Sequence, residues 1–240
     1  MSVLSLESVG KRYRRGHREL VALRNVSMEV ENGEVVCILG GRGSGRTTLL
    51  RIVAGTERPD EGRVRFAGVD LHDAPEVMRR QIAFCNLRFL PAHGRDACEH
   101  VMMPLLAVGV SRDQAGLLAH RALDRVGAAE LAFTPPSAWI PSEAVRVSIA
   151  RAIVREPRLL ILDEPTNGVD LLERDPLLAL IQRVAHESGI ATLLTAGDMT
   201  SLSGADRVLR LSDGELLGRA PRPAADVVEL RRPPASESSQ

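Results

Sequence analysis

Aromatic residues and lysine are scarce in this 240-residue chain. Phe, Trp and Tyr together make up 2% of it, which argues against a surface that stacks nucleobases. Lys11 is the only lysine, so arginine supplies 30 of the 31 basic residues, and 31 acidic residues bring the formal net charge to zero. A neutral chain has no global field that attracts nucleic acid. We therefore expect no nucleic-acid partner.

The chain also lacks metal-binding cysteine motifs and long apolar runs. Its three cysteines, Cys37, Cys85 and Cys98, form no CxxC pair, so we expect free thiols in a cytoplasmic protein and no zinc site. The longest apolar stretch, 101–110, is about half a membrane span and contains Pro104. The N-terminus shows no basic segment followed by an apolar run, as a secretion signal would. We expect any membrane role to come through a partner protein.

Short apolar runs alternate with helical patterns along much of the chain. Residues 34–39, 159–162 and 190–195 are typical of strands that are buried on both faces. Buried strands that alternate with helices predict an α/β fold with a mainly parallel sheet. Two further strands, at 3–9 and 26–30, predict an antiparallel β portion at the N-terminus. The remaining predicted elements are strands at 62–69, 81–85, 207–211 and 215–217 and helices at 47–54 and 171–186.

The middle of the chain departs from this alternation, because its sequence predicts helices alone. Ser111 and Ser142 are expected N-caps in this part. We interpret about 90–155 as a helical lobe inserted into the α/β core. Residues 221–240 contain four prolines and a serine-rich end, which predict a disordered tail. The helices of the lobe are expected at 97–103, 112–126 and 142–154.

A glycine-rich loop follows the first buried strand and opens a helix. The segment 40–47 (GGRGSGRT) fits the phosphate-loop pattern GxxxxGK[ST] in its strand–loop–helix context, except that Arg46 replaces the lysine. This context argues against a surface loop that matches by chance. Backbone N–H groups and the helix N-terminus can approach phosphate oxygens there, and Thr47 would place a hydroxyl on Mg²⁺. The predicted phosphate-binding residues are Gly40, Gly41, Arg42, Gly43, Ser44, Gly45, Arg46, Thr47 and Thr48.

Two carboxylates follow the second buried strand, in the segment 159–166 (LLILDEPT). Asp163 stands at the carboxyl end of the strand, where it could hold Mg²⁺ together with Thr47. Glu164 could orient or deprotonate an attacking water molecule. We therefore predict that Asp163 and Glu164 are the catalytic residues of a phosphate-cleaving site.

The segment 161–170 (ILDEPTNGVD) closely resembles the Walker B motif and D-loop of ABC transporter ATPases, with Asp170 as the D-loop aspartate. The resemblance extends over about residues 3–218. Tyr13 matches the aromatic residue that stacks on adenine in this family. The segment 101–110 (VMMPLLAVGV) is similar to the macrolide-exporter and lipoprotein-release branch. Two further segments, 147–154 (VSIARAIV) and 205–211 (ADRVLRL), match the helix after the signature motif and the C-terminal strand.

The resemblance implies a P-loop NTPase core, with a nucleotide-binding domain at 1–220 that takes ATP and Mg²⁺. It also implies an integral membrane permease as partner, which would dock near residues 86–106. A second nucleotide-binding subunit would complete a homodimer or heterodimer. The chain would then lie on the cytoplasmic side, peripheral on the inner face of the cell membrane. Export is the expected direction of transport, from the branch alone.

Four functional positions depart from the family pattern. Arg46 replaces the phosphate-loop lysine, and a broader, planar guanidinium could misplace the phosphate at a cost of about a hundredfold in rate. Asn86 stands in the Q-loop where the family has glutamine. Gly197 replaces the switch histidine, so its contact with the γ-phosphate is lost. The segment 139–143 (WIPSE) stands where the family has the signature LSGGQ, which presents a serine, glycine amides and a helix N-terminus to the partner's γ-phosphate. Ile140 stands at the serine, Pro141, which has no N–H, and Ser142 replace the glycines, and Glu143 would bring negative charge towards the phosphate.

These departures leave several functions open. The first is an ATP-binding subunit that couples ATP binding and hydrolysis to a permease, with weak turnover of its own. The alternative is a non-catalytic regulatory or structural subunit that binds nucleotide and pairs with an intact ATPase. A relic protein that uses the fold only for protein contacts is a third possibility. Soluble ABC proteins of translation or DNA repair are disfavoured, because they usually carry paired cassettes or a long coiled-coil insertion.

Overall fold

The computed structural model describes residues 2–16, 18–73, 80–85 and 94–219. The predicted tail at 221–240 and the Q-loop position Asn86 lie outside these ranges, and the predicted domain boundary at 220 stays a prediction. The strands are β1 (Ser2–Arg15), β2 (Arg18–Glu31), β3 (Val35–Leu39), β4 (Glu61–Phe66), β5 (Val69–Asp70), β6 (Ile82–Cys85), β7 (Leu159–Leu162), β8 (Ala191–Ala196), β9 (Arg207–Ser212) and β10 (Glu215–Arg219). The α-helices are α1 (Arg46–Val53), α2 (Ala97–Leu106), α3 (Arg112–Arg125), α4 (Pro141–Ile153) and α5 (Leu171–Ser188).

The strands form two sheets. A four-stranded antiparallel sheet has the order β2-β1-β4-β5, and a six-stranded sheet has the order β10-β9-β3-β8-β7-β6. Neighbours in the second sheet run parallel from β9 to β6, and only β10 is antiparallel. Helices α2, α3 and α4 lie between β6 and β7 in the chain. The predicted α/β fold, its antiparallel N-terminal portion and its inserted helical lobe are therefore confirmed.

The parallel sheet separates two apolar cores. Alternate side chains of a strand point to opposite faces, and β3 is buried at every position. Val35 and Cys37 join the core that contains the helical lobe and α5, whereas Val36 and Ile38 join the core beneath the antiparallel sheet and α1. Full burial of one such side chain stabilises the fold by about 1.5–3 kcal/mol. The sheet edge that carries the predicted site is thus held rigidly from both sides.

Three local expectations differ from the structure. β1 and β2 are each fourteen residues long, which is longer than predicted. The second half of β1 is charged and has no apolar pattern, but antiparallel pairing with β2 keeps it in strand conformation. The predicted strand at 62–69 is wrong as one element, since Ala67 and Gly68 adopt positive φ and separate β4 from β5. Ser142 is not an N-cap, because α4 already begins at Pro141. Proline is favoured at that first position, where no intrahelical N–H is needed.

The predicted N-cap at Ser111 is confirmed. Ser111 caps α3, with its hydroxyl accepting a hydrogen bond from Gln114 N at 3.4 Å. The cysteines Cys37, Cys85 and Cys98 are free and buried. Within the described residues, the helices are too short or too polar to cross a membrane.

Candidate functional site

The predicted phosphate-loop, carboxylate and switch residues meet at one edge of the parallel sheet. β3, β8 and β7 are neighbours and run parallel, so their carboxyl ends lie side by side. The phosphate loop follows β3, Gly197 follows β8, and Asp163 and Glu164 follow β7. A hydrogen bond of 3.0 Å from Gly40 N to Ala196 O continues the pairing into the loop. Segments that are distant in sequence therefore lie together at this edge.

The phosphate loop has a backbone that requires glycine. Gly45 has φ of 105°, in the left-handed region, and a Cβ there would lie 2.3 Å from Ala22 O. Gly43 also has positive φ, at 82°. A Cβ at Gly41 or Gly43 would meet nothing within 4 Å. The loop is therefore locked on the side of β2 and open on the other side, where a ligand could lie.

Two polar groups in the loop are buried without a hydrogen-bond partner among the described residues. They are the hydroxyl Oγ of Ser44 and the Nη1 of Arg46. In addition, α1 has no side-chain N-cap and no acidic residue in its first turn. Buried donors in folded proteins normally have an acceptor, and a bare helix N-terminus attracts anions. These features fit the phosphate groups of a nucleotide.

Arg46 and Glu164 form an ion pair across the site. Arg46 Nη2 lies 2.7 Å from Glu164 Oε1, and the Arg46 side chain is only 11% exposed. The second carboxylate oxygen of Glu164 accepts a longer hydrogen bond, of 3.4 Å, from Asn167 Nδ2. Glu164 also has φ of 50°, which is uncommon for a residue other than glycine. The carboxylate predicted to act on water is therefore engaged by a phosphate-loop cation.

Thr195, the penultimate residue of β8, links the two carboxylate residues that follow β7. Its buried hydroxyl donates to Asp163 Oδ1 at 2.7 Å and accepts from the backbone N of Glu164 at 2.9 Å. This role was missing from the sequence predictions. A threonine near the end of an otherwise apolar buried strand is the signal that could have indicated it. Thr195 fixes both the Asp163 side chain and the Glu164 backbone.

Oxygen ligands suited to Mg²⁺ are available at this edge. Thr47 is exposed, and Asp163 is partly exposed with one oxygen engaged by Thr195. The described ranges contain no group of three or more His, Cys, Asp or Glu side chains that could hold a metal alone. Mg²⁺ commonly uses one or two protein oxygens and completes its shell with water and phosphate. The residues present fit such an ion.

Tyr13 lies beside the start of α1. Its hydroxyl oxygen is 3.4 Å from Thr48 Oγ1, and Lys11 Nζ is 5.7 Å from the centroid of its ring. Burial, more than any other cause, raises the pKa of Tyr13 above its ordinary value. The long β1 strand places this ring next to the phosphate loop, where it could stack on the base of a nucleotide.

The surroundings of Gly197 and Cys37 complete the site. Asp198, next to Gly197, accepts hydrogen bonds from the hydroxyl and the backbone N of Thr200, which hold the pKa of that carboxyl below its usual value. Cys37, on β3 before the phosphate loop, is buried, and burial raises the pKa of its thiol to about 12, although Arg46 opposes the shift. We therefore assign no chemical role to this thiol.

The signature and D-loop positions begin two other helices. Ile140 precedes α4, Pro141 is its first residue, and Ser142 is buried. The Glu143 carboxylate accepts a hydrogen bond of 2.9 Å from Ile140 N, so it closes the start of its own helix. Asp170 caps α5 by accepting from Leu172 N at 2.9 Å. Each of these helix starts therefore has a carboxylate of this chain bound to one backbone N–H.

Comparisons with known proteins agree with this geometry. The family profile described as "ABC transporter" matches residues 23–167. The chain is 34% identical over 219 residues to the lipoprotein-releasing system ATP-binding protein LolD of Chromohalobacter salexigens, covering 89% of this chain and 92% of that protein. It is 36% identical over 227 residues to the macrolide export ATP-binding/permease protein MacB of Syntrophobacter fumaroxidans, covering 89% of this chain but only 31% of that protein.

A solved structure shows the same architecture. It is the dimeric structure of a post-hydrolysis state of an ATP-binding cassette bound to ADP and Pi. It superposes with a TM-score of 0.79 at 25% sequence identity and covers 91% of this chain and 98% of that one.

Proposed function

The chain belongs to the ABC transporter family, and we propose that it is an ATP-binding subunit that couples nucleotide binding to a membrane permease, with little hydrolysis of its own. The observation that carries the proposal is the phosphate loop, where buried donors without partners surround a bare helix N-terminus. The two relatives reported above are named as ATP-binding proteins of export or release systems. By that analogy, we propose transport out of the cytoplasm as the direction.

The ligand of the proposed site is ATP with Mg²⁺. Residues 40–48 would hold the phosphates, and Tyr13 would stack on the adenine. Thr47 and Asp163 would hold Mg²⁺, which neutralises phosphate charge when it is bound. Thr195 keeps the Asp163 carboxylate in place for that purpose, by the hydrogen bond of 2.7 Å described above.

Weak turnover follows from the state of the catalytic positions. Glu164 is paired with Arg46, so its carboxylate is not free to orient water. Gly197 offers no side chain to the γ-phosphate, and Pro141 offers no N–H. The loss of one such contact costs about 2–4 kcal/mol in a transition state, and these losses need not add. A non-catalytic subunit paired with an intact ATPase is the second candidate, favoured by the same ion pair.

The partners we propose are a second nucleotide-binding subunit and an integral membrane permease. The dimeric cassette structure supports the first, and the export and release relatives support the second. A cavity of about 160 Å³ lies between β6 and the helical lobe, and Pro104 on its wall belongs to the segment predicted to dock the permease. Its described lining includes Arg80, Arg151 and Arg155 and no acidic residue. An acidic segment of the permease would complement it, which would hold the chain on the inner membrane face.

Phosphate release and nucleotide binding, measured on the same preparation, test the proposal. The full chain and Glu164→Gln are compared with Mg-ATP for release, and with Mg-ADP for binding by titration calorimetry. We expect saturable binding in both proteins and slow release. Release that disappears in Glu164→Gln would identify a weak ATPase, whereas release that is absent from both would identify the regulatory subunit. The absence of binding at millimolar nucleotide would overturn both versions.

A further inference from the structure

The Arg46 guanidinium lies next to the space that a side chain at residue 197 would occupy. A Cβ on Gly197 would lie 3.4 Å from Glu164 Oε1 and 3.8 and 3.9 Å from Arg46 Nη1 and Nη2. These are ordinary contact distances, so a first carbon would fit. A longer side chain that points into the site would meet the guanidinium or the carboxylate. The present position of the guanidinium therefore requires a small residue at 197.

The two terminal nitrogens of Arg46 are in different situations. Nη2 is paired with Glu164 at 2.7 Å, whereas Nη1 is buried and has no hydrogen-bond partner among the described residues. Guanidinium keeps its charge and presents its donors in a rigid fork, so two acceptors can be held at a fixed angle. A buried cationic donor without an acceptor is unfavourable. The free Nη1 thus predicts an anionic acceptor beside Gly197.

We propose that Arg46 has two functions at once, in which Nη2 positions Glu164 while Nη1 binds the terminal phosphate of the nucleotide, and that the small residue Gly197 leaves the space for this arrangement. The inference rests on the proposed nucleotide binding and adds a specificity, namely recognition of the terminal phosphate. Lysine at position 46 carries its three donors on one nitrogen, so it could not reach two acceptors at the separation that the two terminal nitrogens of the guanidinium span. Arg46 and Gly197 therefore form one coupled feature.

The test compares a non-hydrolysable triphosphate analogue of ATP with ADP, each with Mg²⁺, by titration calorimetry on the full chain. The ratio of the two Kd values reports contacts to the terminal phosphate. We expect Arg46→Lys to reduce this preference for the triphosphate about tenfold, the loss of one charge-assisted hydrogen bond. Gly197→His should reduce it similarly, because the imidazole displaces the guanidinium. Arg51→Lys, at an exposed arginine near the end of α1, is the matched control and should leave the ratio unchanged.

The double variant Arg46→Lys/Gly197→His is decisive. Lysine vacates part of the shared volume, so the histidine should cost at least about fivefold less in this background than beside Arg46. Independent effects of the two substitutions, with binding intact, would overturn the coupling and leave the proposed function standing. An unmodified chain with no preference for the triphosphate would also overturn it, whereas a chain that binds neither nucleotide would overturn the proposed function as well. Should Gly197→His fail to fold, the ratio in Arg46→Lys decides alone, and an unchanged ratio rejects the inference.

Discussion

Helices α1 and α4 begin in opposite ways, although the resemblance to ABC ATPases assigns both starts to phosphate binding. α1 follows a left-handed glycine, has no side-chain cap and keeps Arg46 in its first turn. α4 follows Ile140, begins with proline and is closed by the Glu143 carboxylate. Both helix starts carry a partial positive charge, and the local sequence determines whether that charge is available to a bound anion. In this chain the start of α1 can bind an external anion, whereas the start of α4 already carries the Glu143 carboxylate.

The largest effect should come from removing the positive charge of Arg46 at the start of α1. Arg46→Ala deletes the buried guanidinium and leaves the Glu164 carboxylate next to the phosphate position. We expect the affinity for the non-hydrolysable triphosphate analogue with Mg²⁺ to fall at least about a hundredfold, since hydrogen bonds to charged groups contribute about 1.5–3 kcal/mol and repulsion adds to the loss. Titration calorimetry measures the effect, with Arg51→Ala as the matched control. A loss below threefold would show that the open start of α1 does not bind the phosphates.

A second effect concerns Thr195, which holds Asp163 and Glu164 in place at the carboxyl end of the sheet. Thr195→Val keeps the shape of the side chain but removes the hydroxyl that joins Asp163 to the Glu164 backbone. Because a partly buried N–H loses its acceptor, we expect the free energy of unfolding to fall by about 2 kcal/mol. Chemical denaturation measures this, and Thr195→Ser, which keeps the hydroxyl, is the control. Equal stability of Thr195→Val and the unmodified chain would contradict the assigned role.

A third change gives α1 the acidic first turn that α4 has. Thr47→Glu adds a carboxylate at an exposed position near the bare helix N-terminus. The helix dipole should then stabilise the nucleotide-free chain by about 0.5 kcal/mol. Repulsion and the loss of a Mg²⁺ ligand should weaken binding of Mg-ADP about tenfold. Thermal unfolding and titration calorimetry on the same sample measure these opposite effects, and Thr47→Gln separates charge from size. Parallel changes in stability and affinity would contradict the comparison.

The smallest effect is expected at the closed start. Glu143→Gln weakens the bond to Ile140 N, and we expect a loss of about 1 kcal/mol or less, typical of an N-terminal cap. For a chain of this size such a loss lowers Tm by about 2–4 °C. The affinity for Mg-ADP should not change, because Glu143 closes a different helix. Glu187→Gln, at an exposed glutamate of α5, is the control for thermal unfolding.

The strands that carry the site could be predicted from the sequence, because their sequence signals are local. Short apolar runs identified β3, β7 and β8, and the glycine-rich loop and the carboxylates that follow two of these strands identified Arg46 and Glu164. Gly197 was identified from the family resemblance alone. The ion pair between Arg46 and Glu164 was not predicted, because it depends on side-chain geometry between strands that are distant in sequence. The link through Thr195 was missed for the same reason.

Errors at element ends had physical causes of a different kind. At α4 the serine signal suggested a start one residue too late, since proline at the first position and a glutamate at the third determine the start instead. In β1 the charged second half shows no apolar pattern, and its extent is set by the ladder to β2. Local preference gives the type of such elements, and tertiary pairing gives their length.

The shared volume at Gly197 also constrains the order in which substitutions can accumulate in a lineage. A guanidinium at position 46 cannot settle beside Glu164 while residue 197 carries a bulky side chain, so a loss at 197 has to precede or accompany the arrival of arginine. In the reverse direction, arginine has to be replaced at position 46 before a bulky residue can be accepted at 197. Ancestral intermediates of this chain should therefore include glycine with lysine, and exclude histidine with arginine.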